Sequence, residues 1–215
     1  KAVDPIIRYS HADWAEAAMM ASVMKGQRAA LWPAVAVVVV LAATCYPHVP
    51  GWELALMVVV SMVVTVVRLR FVQGYERVAK TDRIDVQLSY LHRYRGFWIL
   101  NGVAWGMWPL LFYGRLPAAA TVACWMLTAG VGGVAIASIS AHLRATRAFL
   151  MSFLLSLAIS VGLAFAVRPH TLLQQVDYWV PVLLGLYWLL LLRIVRHLHE
   201  LYRESIDLSY HNARL

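Results

Sequence analysis

The sequence predicts an all-α polytopic membrane protein with six transmembrane helices, cytoplasmic N- and C-termini, and a C-terminal helix that continues into a parallel coiled coil. Three observations predict it. Six apolar segments occupy residues 30–195, each near the roughly 20 residues that a spanning helix needs. Of the 19 Lys and Arg residues, all but Arg115 and Arg168 fall where a single inside-facing topology puts them. The composition, 61% hydrophobic and 14% charged, departs from the about half apolar and quarter charged of a soluble domain, so the bilayer stands in for a core.

The elements follow in order. Residues 1–29 read as a cytoplasmic amphipathic interfacial helix: Ser10 is placed to cap, Asp13 stands three residues on, and Trp14, Ala17, Ala18, Ala21 and Met24 give one apolar face. Lys25 and Arg28 then meet the inner headgroups. The first span runs from Leu31 to Tyr46, and Pro47, His48, Pro50 and Gly51 turn the chain outside. The second span returns from Trp52 to Val67. From Arg68 to Arg95, seven Arg or Lys residues mark the longest polar loop, which the positive-inside rule makes cytoplasmic and whose pattern suggests extended helix ends.

Residues 96–113 form the third span and 117–140 the fourth, joined outside by Gly114, Arg115 and Leu116. Arg144 and Arg147 mark the next inner turn, and the fifth span covers Phe149 to Val167. The largest outer segment runs from Arg168 to Asp177, and the sixth span begins near Tyr178. The domain organisation is thus the interfacial helix 1–29, a six-helix transmembrane domain 30–195, and a cytoplasmic helix 196–215 that continues the sixth span.

Several function classes are disfavoured. The net charge of +8 comes from basic residues beside span ends, as anchoring to an anionic inner leaflet requires, so nucleic acid is not the expected partner. No Asp, Glu, Lys or Arg lies deep in a span, which argues against a pump or ion-coupled transporter. Cys45 and Cys124 make no disulfide framework. His197 and His199 point about 200° apart on a helix and cannot chelate one ion together. With no HExxH, glycine-rich phosphate loop or cysteine pair at ligand spacing, no metal, cofactor or catalytic residue is expected in this chain.

The third span carries Asn101, Trp105, Trp108 and Phe112 on one helical face. That face suits the wall of an amphipathic pocket, with Trp125 and Thr128 of the fourth span and Ser156 of the fifth opposite it. Ser and Thr in spans also commonly bond their own backbone or a neighbouring helix. Gly102 and Gly106 form a GxxxG step, and Ala129, Gly133, Ala137 and Ala141 a matching small stripe, so the third and fourth spans are expected to pack together.

The exit helix repeats every 3.5 residues: Ile194, Leu198, Leu201, Ser205, Leu208, Asn212 and Leu215. Leu201, Leu208 and Leu215 take d; Leu198, Ser205 and Asn212 take a, where Asn favours a parallel pair. A homodimer follows. The polar a positions weaken the seam, as suits an element that switches between two packings.

Trp105 and Gly106 followed by an apolar run, the small-residue span from Gly130 to Ser140, and the polar helix from Arg193 to Leu215 together resemble the multi-pass membrane input modules of bacterial sensor histidine kinases and diguanylate cyclases. The resemblance covers nearly all of residues 28–215 and carries over no ligand residue. It implies a dimeric, multi-pass sensor of the bacterial inner (cytoplasmic) membrane, most often feeding a histidine kinase of a two-component system whose partner is a response regulator. Some similar modules answer lipid-like quorum signals. The expected function is the membrane-embedded sensory module of a (hybrid) sensor histidine kinase, detecting a small hydrophobic or amphipathic signal in contact with membrane lipid. The alternatives are the input module of a diguanylate cyclase and a small transporter or channel.

Overall fold

The computed structural model describes residues 10–81, 83–94, 96–167 and 175–212. All regular structure among them is helical, in nine helices: α1 His11–Ala29, α2 Leu31–Cys45, α3 Gly51–Ala79, α4 Ile84–Arg93, α5 Gly96–Gly106, α6 Pro109–Phe112, α7 Ala118–Ile139, α8 Leu143–Val167 and α9 Gln175–Asn212. Three of them, α3, α7 and α8, are each long and apolar enough to cross a membrane. The α1–α2 pair, bent by 42°, passes the same test only when taken together, and α5 with α6 makes a shorter apolar unit.

Ser10 caps α1 as expected, its hydroxyl accepting from the Asp13 N–H at 3.2 Å. Ala17, Met20, Val23, Met24 and Gln27 are buried, whereas Ala21 of the expected apolar face is exposed. The buried face is rotated because α1 packs among α3, α4, α7 and α9 rather than presenting one side to a flat surface.

Helix α3 buries Leu54, Met57, Ser61, Val64, Arg68, Phe71 and Tyr75, steps of three and four that form one stripe. The stripe runs straight through Arg68. The polar stretch from Arg68 begins as an extended helix end, as its pattern suggests, and stays helical as far as Ala79, since Phe71, Val72 and Tyr75 keep an apolar face after the charges begin. Helix α4 folds back on this extension: Tyr90 stacks on Phe71 with ring centroids 5.7 Å apart and donates to the Phe71 carbonyl at 3.0 Å.

The expected third span is broken. Pro109 lacks an N–H and would clash with the carbonyl four residues back, so α5 stops at Gly106 and a single turn, α6, restarts at Pro109. Helix α5 packs on α8, which covers the expected fifth span, and not chiefly on α7 as its GxxxG step predicts. A Cβ at Gly102 would stand 2.5 Å from the Phe149 carbonyl, and one at Gly106 2.5 Å from that of Phe153. The sequence supplied the small residues but not their partner: Ser152, Ser156 and Ser160 of α8 offer a polar, low-profile face to α5. The stripe on α7 points elsewhere, with Gly133 and Ala137 exposed.

At one end of the bundle Arg115, in the turn after α6, pairs with Glu53 at the start of α3. Gly114 turns the chain there with φ 71°, in the left-handed region that glycine adopts without strain. Cys45 of α2 and Cys124 of α7 are free and buried. At the other end α9, 38 residues long, runs without interruption through residues 195 and 196. Its Leu191, Val195 and Tyr210 are buried against the bundle. Tyr210 contacts the rings of His11 and Trp14, and Asp207 lies 3.2 Å from His11, so α1 clasps the exit helix. Residues 168–174 of the expected outer loop and Leu215 of the heptad lie outside the described residues.

Candidate functional site

A cavity of about 270 Å³ lies between the α1–α2 bend, α3, α5 and α7. Two residues of the expected pocket, Asn101 and Trp105, line it. They share a face of α5 one turn apart, above the break at Gly106. Facing them are Pro33, Ala34 and Val37 of α2 and Leu127, Val131 and Ala135 of α7. Met126 and Val134, 71% and 53% exposed, flank its mouth on the apolar surface of α7.

The other four expected pocket residues lie elsewhere, each for a local reason. Trp108 falls after the break and is fully buried, its indole N–H without a partner among the described residues. Trp125 packs edge-on against Phe112, 5.2 Å between centroids, on a face of α7 turned from the cavity. The Thr128 hydroxyl donates to the Cys124 carbonyl of its own helix at 2.9 Å. Ser156 donates to the Val103 carbonyl at 3.1 Å and Ser160 to the Gly106 carbonyl at 3.0 Å. These serines hold α8 to α5. Ser160 also satisfies a carbonyl that the break leaves without a regular helical donor, a compensation that apolar surroundings require.

The cavity has a polar end that the spacing argument missed. Arg68 lines it and is only 6% exposed. Its terminal nitrogen donates to the Gln27 main-chain carbonyl at 3.1 Å, while its Nε has no partner among the described residues. Gln27, 2% exposed, donates through Nε2 to Ser138 at 3.1 Å, and its Oε1 has no partner among the described residues. Asn101, 4% exposed, is a further polar residue of the lining. The signal was in the sequence: positions 57, 61, 64, 68, 71 and 75 form one unbroken stripe, and Arg68 occupies a core register on it.

A second cavity of about 310 Å³ opens at the α1–α9 clasp, lined by His11, Glu16, His142, Arg144, His199 and Asp207 among others. His142 caps α8, its Nδ1 accepting from the Ala145 N–H at 3.1 Å, with Nε2 3.4 Å from Glu16. Burial lowers its pKa from the ordinary histidine value; Glu16 opposes that shift and Arg144 adds to it. Among the described residues no group of three or more His, Cys, Asp or Glu could hold a metal ion. Compared with known protein families, curated proteins and solved structures, the chain matches none.

Proposed function

We propose that this chain is the membrane-embedded sensory module of a bacterial signal-transduction protein, a (hybrid) sensor histidine kinase, responding to a small hydrophobic or amphipathic signal that arrives through lipid. The observation that carries the reading is the cavity lined by Asn101 and Trp105, whose mouth opens on apolar helix surface beside Met126 and Val134. A ligand reaching that mouth comes laterally, from hydrocarbon. The six spans of this reading are α2, α3, α5 with α6, α7, α8 and the apolar first half of α9. Both termini then face the cytoplasm of an inner-membrane protein.

The output in this reading is the exit helix. Ile194, Leu201 and Leu208, the d positions, are 38%, 48% and 66% exposed. An apolar seam left open on one chain is what pairing with a second copy covers. Signal binding would shift this paired seam, weakened by Ser205, between two packings of one helix. A response regulator is the expected downstream partner. The test is a reporter of output in cells: Trp105→Ala and Asn101→Ala are each expected to change the response to signal-containing extracts. Unchanged responses in both would sink the pocket.

A further inference from the structure

The cavity has one strongly polar end and one apolar end, and the polar end carries a cation that has no counter-ion among the described residues. Arg68 offers five N–H donors, yet among the described residues its one hydrogen bond is to the neutral Gln27 carbonyl, and no carboxylate pairs with it. Burying an unpaired charge is costly unless something of opposite sign arrives. Asn101, 4% exposed, lines the same cavity and offers it an amide. Gln27, held by its Nε2 bond to Ser138, also lines the cavity; apart from it and the Trp105 indole, the remaining wall, from Val37 to Met126, is hydrocarbon.

We propose that this cavity binds an amphiphile with an anionic head, a carboxylate or phosphate carried on a single unbranched chain. The inference rests on the sensory reading above and names the chemistry of its ligand. Arg68 takes the head, with the Asn101 amide as second donor; charge-assisted bonds of this kind are the strong ones. The tail lies in the cleft between α2 and α7. The lining residues on α7 run from Met126 to Ile139, about 20 Å of helix at roughly 1.5 Å per residue, a length suited to an extended acyl chain. At about 270 Å³ the cavity suits one chain rather than a whole two-tailed lipid. A cation would be repelled by Arg68, and a neutral hydrocarbon would leave its charge unanswered.

The head can come from a free amphiphile or from a bilayer phospholipid that inserts one chain, and the test separates them. The purified protein in phosphatidylcholine nanodiscs is titrated with radiolabelled dodecanoate, with dodecyl phosphate and dodecanol as competitors. Both anions are expected to bind at least about tenfold more tightly than the alcohol. Arg68→Gln removes that preference and Arg68→Lys keeps most of it, because charge survives. Gly130, on the cavity wall, has no atom within 4 Å of an added Cβ, and Gly130→Phe, which adds bulk at that wall, is expected to weaken binding of all three. Displacement of dodecanoate by phosphatidylglycerol in the disc, lost in Arg68→Gln, identifies the bilayer as source; no displacement identifies a free amphiphile.

Equal affinity for dodecanoate and dodecanol in the wild-type protein overturns the anionic head while leaving the sensory pocket standing. If no amphiphile binds, this inference also falls, and the output of Trp105→Ala decides the wider reading separately. The wild-type preference for anion over alcohol keeps the test decisive even where Arg68→Gln does not fold.

Discussion

The Arg68 guanidinium donates to the Gln27 main-chain carbonyl at 3.1 Å, joining α3 to the end of α1 by a charged group that is 6% exposed. Buried and without a carboxylate partner among the described residues, Arg68 costs the unliganded fold stability. Arg68→Met keeps the length and apolar stem of the side chain and removes the charge. It is expected to leave stability unchanged or raise it by about 1 kcal/mol or more. Thermal unfolding in detergent without added amphiphile checks this, and a clear fall in Tm would mean that Arg68 is a structural tie instead.

The contact between α5 and α8 depends on glycines at the surface between them. Gly102→Ala would bring its Cβ to 2.5 Å from the Phe149 carbonyl and 2.9 Å from the Phe153 nitrogen; Gly106→Ala meets Phe153 and Leu157 similarly. Backbone atoms cannot swing aside, so each substitution is expected to cost about 1–3 kcal/mol. Gly133→Ala, with nothing within 4 Å of the added Cβ, is expected to be neutral or stabilising by up to about 1 kcal/mol. Detergent unfolding of all three variants gives the ranking. Equal effects would place the close approach on α7 instead.

How much of this was legible follows from which interactions are local. The capping of α1 by Ser10, the all-helical fold and the turn around Arg144 depend on nearby residues, and the sequence carried them. Gly102 and Gly106 announced a close approach, but the partner depends on how α7 and α8 are arranged around α5, which spacing does not encode. The break before Pro109 was readable and was overridden by the four-three spacing of Asn101, Trp105, Trp108 and Phe112. That break is why only the first two of those residues meet in the cavity. Charge marks Arg68 as the start of a polar loop, while the pattern of that stretch suggests extended helix ends; the structure shows helix there. The stripe through Ser61, Val64, Arg68 and Phe71 held the better answer.

His142 should make stability depend on pH. Its Nδ1 accepts from the Ala145 N–H, so the neutral ring caps α8 and protonation of that nitrogen removes the cap. Desolvation lowers its pKa below the ordinary 6.5, against Glu16 at 3.4 Å and with Arg144 close by; His92, His199 and Asp207 border the cavities on either side. With the folded pKa depressed, the unfolded chain takes up the proton first. The stabilising contribution is therefore whole above about 6.5 and is lost as pH falls below it. His142→Asn retains a capping side chain without titration. Unfolding curves between about pH 5 and 7.5 are expected to show a smaller acid loss in His142→Asn than in the wild type. Identical slopes would assign the titration to another group.

The exit helix makes the last prediction, which depends on the proposed dimer. Ser205 is exposed on the same side of α9 as Leu201 and Leu208, which are 48% and 66% exposed, while Leu191, Val195 and Tyr210 turn toward the bundle. One face of α9 thus belongs to its own chain and the other is open. Cysteines placed singly at Leu201 and Leu208, on a background with Cys45 and Cys124 changed to Ala, are expected to crosslink between copies in native membranes. A cysteine at Val195, buried within the chain, is expected not to crosslink. Ser205→Leu replaces a polar a position by an apolar one and should raise crosslinking at Leu208 while reducing the response to signal, since one packing is then favoured over the other. If crosslinking at Val195 exceeds that at Leu201, the paired face has been assigned to the wrong side of α9.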